Sequence, residues 1–223
     1  MAQTLAPQDT CVLVTGGAGF IGSHTVVELL QRNYKVVVVD NFYNASPVAL
    51  DRVREITGKT FPFYEANVCD EAALDRIFDE NKIDAVIHFA AFKAVGESVH
   101  KPLDYYRNNL SLLITVLEAM RKYGVENIVF SSSCTVYGQA DVLPVTEQTP
   151  RKEAESPYGN TKKMCEDILR DSVKAYPGLK GIALRYFNPI GAHPSALIGE
   201  LPRGVPNNLV PYVTQTAAGL REQ

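Results

Sequence analysis

Two patterns of apolar positions alternate along this chain. Short, continuous, β-branched runs such as CVLVT (11–15) and KVVVVD (35–40) show no polar alternation. That is the pattern of strands covered on both faces. Between them lie stretches in which apolar residues recur every three or four positions, as in amphipathic helices. The runs predict strands over 11–15, 35–40, 61–66, 85–91, 127–133 and 181–187. Helices are expected over 21–32, 47–57, 71–81, 102–123, 157–175 and 209–220. Strict β–α alternation predicts an α/β fold, a doubly wound parallel sheet with right-handed crossovers. Ligands of such sheets bind beyond the carboxyl ends of the strands.

After Phe187 the texture changes. Residues 188–208 are rich in proline and glycine and carry no helical or strand period. The chain therefore divides into a sheet-forming domain over 10–187 and a turn-rich tail over 188–223, too short and too proline-rich to be a domain by itself.

Composition alters this picture little. The chain is 46% hydrophobic and 21% charged, with a net charge of −3. That suits a packed core and gives no footprint for nucleic acid. The four cysteines have no C-x-x-C spacing, which argues against a metal site or a disulfide framework and favours reduced, cytoplasmic thiols. The first ten residues contain no apolar leader, and no apolar run is long enough to span a membrane.

The chemistry-bearing residues follow the strands. Gly16, Gly19 and Gly22 sit between the first strand and the first helix. Glycines there allow a tight turn and close approach of a pyrophosphate to the helix N-terminus. The strand–turn–helix context makes this a Rossmann-like dinucleotide signature. Asp40 ends the second strand and can accept hydrogen bonds from ribose hydroxyls. No arginine follows it, which favours NAD over NADP. Asn67 can meet an adenine edge or simply shape a turn. Ala90 and Ala91 are small enough for a ligand to lie against the backbone. Lys93 can pair with a phosphate or stay solvated. Asn108 can hold loop backbone or cap a helical turn.

Two Tyr-x-x-x-Lys pairs occur. Tyr176 and Lys180 flank a Pro-Gly turn, so they need not share a face. Tyr158 and Lys162 follow Ser156 and Pro157, a good N-cap and first helical residue. The pair then sits at i and i+4 on one helix face. The ammonium and the helix N-terminus are expected to favour the phenolate of Tyr158. Ser133, at the end of the fifth strand, can hydrogen-bond a reacting hydroxyl. Ser131 and Ser132 show no special role.

Together TGGAGFIG, DNF, HFAAFKAVGES, SSSCTVYG, SPYGNTK and LRYFNPIGAH resemble the extended short-chain dehydrogenase/reductase family, and within it the UDP-sugar 4-epimerases. The similarity runs from Cys11 to Leu220. It implies NAD-dependent interconversion of UDP-galactose and UDP-glucose through transient oxidation at C4 of the sugar. Ser133, Tyr158 and Lys162 match the catalytic positions. The cofactor is expected against Gly16, Gly19, Phe20, Ile21, Gly22, Asp40, Asn41, Phe42, Tyr43, Asn44, Ala45, Asn67, Val68, Phe89, Ala90, Ala91, Lys93, Asn108, Tyr158, Lys162 and Phe187. The UDP-sugar is expected against Lys93, Ser133, Tyr158, Asn188, Asn208 and Leu209. No metal is implied. The resemblance also implies a homodimer through the helices at 102–123 and 157–175.

Asn67 departs from the family's usual aspartate, although its amide oxygen still accepts a hydrogen bond. Family members also continue beyond residue 223, through most of the substrate domain. Alternative readings are a shortened NAD-binding chain that does not turn over sugar, and another nucleotide-sugar epimerase or dehydrogenase. A dehydratase is disfavoured, because the loop after strand five reads Ser-Cys-Thr-Val-Tyr and has no carboxylate.

Overall fold

The computed structural model describes residues 6–202, 204–206 and 208–221. The leader reading of the first five residues lies outside them. Six strands form one sheet: β1 (Cys11–Thr15), β2 (Lys35–Asp40), β3 (Phe63–Glu65), β4 (Ala85–His88), β5 (Asn127–Ser133) and β6 (Lys180–Tyr186). All pairs are parallel, in the order β3-β2-β1-β4-β5-β6. The order reverses between β1 and β4. This is the switch point at which a doubly wound sheet opens a crevice.

Successive residues of the central strands point to opposite faces. Val12 and Val14 of β1 and Val36 and Val38 of β2 pack with α1 (Phe20–Gln31) and α2 (Val48–Thr57). Leu13, Val37 and Val39 pack on the other face with α3 (Glu71–Glu80), α5 (Pro102–Tyr123) and α6 (Pro157–Ala175). Leu13 and Val14 are both fully buried, as strands without polar alternation require.

The expected bounds of β1, β2, β5, α5 and α6 hold. Four differences have physical reasons. β3 spans only Phe63–Glu65, because Phe61 serves the core as a buried side chain and Pro62 has no N–H for the ladder. β4 ends at His88, because Phe89–Ala91 turn across the glycine loop. An unexpected short helix, α4 (Val95–His100), precedes α5. β6 is not covered on both faces: Gly181 packs on Leu169 of α6, yet Ile182 remains 59% exposed. The last helix, α7, spans Leu209–Ala217.

Residues 188–202 fold back onto the α1 side of the sheet. Ile198 is buried among Val12, Val14 and Val26. The His193 ring lies 6.4 Å from that of His24 in α1. No helix among the described residues is long and apolar enough to cross a membrane.

Candidate functional site

The crevice at the switch point is a cleft of about 630 Å³. One wall is the turn from β1 into α1. Gly16 has φ +69°, which favours glycine, and a Cβ there would sit 2.7 Å from Ala90 N. A Cβ on Gly22 would sit 2.2 Å from Gly16 O. The turn is therefore closed tightly by backbone on backbone. Gly19 precedes α1 without any side-chain cap. The first-turn N–H groups of Phe20, Ile21 and Gly22 have no intrahelical acceptor, and these residues line the cleft.

Asp40 is 8% exposed, at the end of β2. Its Oδ2 accepts from Ala18 N at 3.0 Å and its Oδ1 from Phe42 N at 2.9 Å. Burial raises its pKa, and these backbone donors oppose the rise. A carboxylate has about four acceptor sites, so it can brace the loop and still accept from a ligand. Asn67 shapes a turn, with Oδ1 accepting from Cys69 N at 3.0 Å, and also lines the cleft.

The far end of the cleft is formed by β5, the following 3-10 turn and α6. Ser156 caps α6 through Gly159 N at 3.1 Å. This places Tyr158 in the first turn and Lys162 one turn on, as the spacing predicts. Ser133, on the same wall, pulls the pKa of the Tyr158 phenol down, but burial has the larger effect and the net shift is upward. The expected lowering by Lys162 is not what this arrangement gives. The Lys162 ammonium lies 5.9 Å from the Tyr158 ring centroid and donates to Ser131 O at 2.7 Å. Lys162 is 3% exposed, and burial lowers its pKa to about 8. Thr135 Oγ1, on the same wall, is buried with no hydrogen-bond partner.

Most residues expected at the site meet around this cleft. Gly16, Gly19, Phe20, Ile21, Gly22, Asp40, Asn41, Tyr43, Asn44 and Ala45 line it. So do Asn67, Val68, Phe89, Ala90, Ala91, Lys93, Asn108, Ser133, Tyr158, Lys162, Phe187, Asn188 and Asn208. Two lie off its lining. Phe42, at φ +53°, packs its ring on Phe63 at 5.2 Å. Leu209 opens α7 and is 76% exposed. Asn108 lies inside α5 and begins no helical turn.

Three important residues gave no clear sequence signal. Asn109 holds the loop after β4, accepting from Phe92 N at 2.8 Å and donating to Phe92 O at 3.0 Å. It also donates to Thr161 Oγ1 of α6 at 3.1 Å. An amide on the apolar stripe of α5, between Tyr105 and Leu112, was the available hint. Glu200 Oε1 accepts from Lys93 Nζ at 3.4 Å and from Asn208 Nδ2 at 2.5 Å. It thus joins two expected ligand residues across the cleft. Glu166 lies behind the wall formed by β5 and α6 and bonds Ser132 and Arg185.

The chain is similar to known proteins along most of its length. Residues 12–218 match the model of the NAD dependent epimerase/dehydratase family. The chain is 59% identical over 212 residues to the UDP-glucose 4-epimerase of Bacillus subtilis (strain 168), covering 95% of this chain and 62% of that protein. It is 56% identical over 208 residues to that of Haemophilus influenzae, covering 93% of this chain and 62% of the relative. The crystal structure of UDP-glucose 4-epimerase from Bifidobacterium longum in complex with NAD+ and UDP superposes with a TM-score of 0.94 at 54% identity. That match covers 96% of this chain and 64% of the other. The chain thus spans about three fifths of the length of the curated relatives it matches.

Proposed function

Because this chain belongs to the NAD dependent epimerase/dehydratase family, we propose that it carries the cofactor site and proton-transfer pair of a UDP-glucose 4-epimerase. The observation that carries this reading is a shared cleft: the glycine turn, Asp40, Ser133, Tyr158 and Lys162 all line it. The residues fit a dinucleotide. The uncapped N-terminus of α1 favours the pyrophosphate, and Asp40 retains acceptor capacity for ribose hydroxyls. Bound there, NAD⁺ supplies a hydride acceptor and donor at C4 of the sugar and a positive ring that favours the nearby phenolate.

The chain's own residues handle the proton. Tyr158 takes it from the sugar 4-hydroxyl and later returns it, with Ser133 holding the 4-oxygen. Lys162, anchored on Ser131 O, holds a ribose hydroxyl. Lys93, Asn188 and Asn208, which line the cleft, are the residues to meet the UDP-sugar, and residues 188–223 begin the substrate-facing domain that follows the dinucleotide domain at 10–187. Exposed apolar residues on both long helices, Ile114 on α5 and Met164 on α6, support a homodimer along that face. The free cysteines suit a reducing, cytoplasmic setting.

The test is conversion of UDP-galactose to UDP-glucose by the purified chain with NAD⁺, read in a coupled assay beside a direct measurement of NAD binding. Tyr158→Phe is expected to keep NAD binding within about threefold and to lower turnover about 10²-fold or more. An equally active Tyr158→Phe chain, or a folded chain that does not bind NAD, overturns the reading.

A further inference from the structure

The last three residues of β5 each meet one turn of α6. Ser133 lines the cleft beside Tyr158 and pulls the phenol's pKa down. The Ser131 carbonyl accepts from Lys162 Nζ at 2.7 Å. The Ser132 hydroxyl donates to Glu166 Oε1 at 2.6 Å. Tyr158, Lys162 and Glu166 stand at i, i+4 and i+8, along one stripe of the helix. The first two pairs are those of the proposed chemistry, and the third stands behind them. Glu166, Arg151 and Arg185 are not among the residues that line the cleft.

Glu166 is 7% exposed and heavily engaged. Arg185 of β6 grips both of its oxygens, Nε to Oε1 and Nη2 to Oε2, each at 2.8 Å. Arg151, from the segment before α6, adds a bond to Oε2 at 3.3 Å. The Arg185 guanidinium also lies 4.8 Å from the Tyr137 ring centroid, in the turn that follows Ser133. One carboxylate thus ties β5, β6, α6 and the segment before α6 together.

We propose that Ser132 and Glu166 are positioning residues that fix the end of β5 against α6, so that Ser131 and Ser133 meet Lys162 and Tyr158 in one register. The role this serves rests on the proton-transfer reading of that site. A buried ion pair is a poor device for stability alone, since desolvation offsets much of its attraction. It is a good device for direction, because each bond admits one geometry. A one-residue slip of β5 turns Ser132 to the opposite face of the sheet. The hydroxyl–carboxylate bond therefore distinguishes the working register from its neighbours.

The test reads the alignment itself and needs no sugar turnover, so it fails or succeeds independently of the proposed reaction. Lysine labelled with ¹³C at Cε reports the titration of Lys162 by NMR in the NAD-bound chain, with the signal assigned by Lys162→Met. Ser132→Ala leaves in place the charge of Glu166 and the groups that face Lys162: Cys165, which acts on it electrostatically, His88, whose own pKa Lys162 lowers, and the Tyr158 phenol, whose ring lies 5.9 Å from the ammonium. If the end of β5 drifts, the ammonium loses its carbonyl acceptor and titrates lower. The expected shift is about 0.5 pH unit or more downward. Ser132→Thr, which keeps the hydroxyl, is expected to restore the midpoint. If Ser132→Ala does not fold, Ser132→Cys, close in shape with a weaker donor, is read in the same way. An unmoved Lys162 midpoint overturns the proposal, including when the denaturation midpoint falls, because that result assigns the pair to stability alone.

Discussion

The two ends of the cleft are built on different principles. The wall from β1 to α1 is fixed by close packing: Leu13, Val14 and Val26 are fully buried, and backbone atoms fill the space where glycine side chains would stand. The wall from residues 188 to 209 shows most of its apolar side chains to solvent, with Ile190 70% and Leu201 80% exposed. It is tied down by polar contacts, such as His193 with Ser195 and Glu200 with Asn208, and, among the described residues, by the buried side chains of Ile198 and Pro206. Rigidity in the first wall comes from volume exclusion. In the second it comes from bonds that water can replace. A pre-formed surface therefore belongs to the glycine-turn end of the cleft, and adjustability belongs to the end built from residues 188–209.

The largest expected effect breaks the first wall. Gly22→Ala drives a Cβ to 2.2 Å from Gly16 O, and the contact is backbone, so no side chain can yield. The expected loss is more than about 4 kcal/mol of stability, with NAD affinity down at least about a hundredfold because the N-terminus of α1 is pushed away. Urea denaturation and calorimetric titration with NAD check both. Acid is expected to attack the same half next. His88 is 2% exposed and bonds Thr15 Oγ1 at 2.7 Å through Nδ1. Burial, with the charge of Lys162 behind it, lowers its pKa to about 3. Below pH ~6.5 the unfolded chain binds a proton that the folded chain refuses, so stability is fully present above 6.5 and falls towards pH 3. The expected fall from this group is of the order of 4 kcal/mol across that window. His88→Gln, which does not titrate, is expected to flatten it. A wild-type chain equally stable at pH 7 and pH 4 contradicts this account.

The same contrast separates what was legible in the sequence from what was not. The β1–α1 turn, the strands beside it and the Tyr158–Lys162 spacing depend on neighbours within a few residues, so local pattern reveals them. β4 was read three residues too long because FAA is as apolar as a strand, and only the approach of Ala90 to Gly16 takes it out of the ladder. Glu166, Asn109 and Glu200 were invisible for a related reason. Their partners Arg185, Phe92 and Lys93 lie 19, 17 and 107 positions away. The shift of Tyr158 was misjudged because spacing reports a cation one turn away but says nothing of burial, which raises the phenol here.

The join between the two walls gives an intermediate effect. Ile198 is 6% exposed and inserts among the α1-facing side chains of β1. Ile198→Ala is expected to cost about 2–3 kcal/mol. Ile190→Ala, in the same segment but exposed, is expected to stay within about 0.5 kcal/mol. Equal effects in chemical denaturation contradict the role of Ile198 as an anchor of this wall.

The smallest effect sharpens the comparison most. Glu200 Oε1 gathers Lys93 and Asn208, the one across the cleft and the other at the start of α7. Lys93 is 51% exposed, so its ion pair is screened and contributes little to stability. Glu200→Gln keeps an acceptor for Asn208 and removes the charge that competes with a phosphate for Lys93. Stability is expected to change by less than about 0.5 kcal/mol. UDP affinity is expected to rise by about twofold to threefold, an electrostatic gain that fades above about 0.5 M salt. Calorimetric titration with UDP at two salt concentrations checks it. A stability loss above 1 kcal/mol, with no gain in affinity, places Glu200 in a packed wall like that of Gly22 and removes the distinction between the two ends.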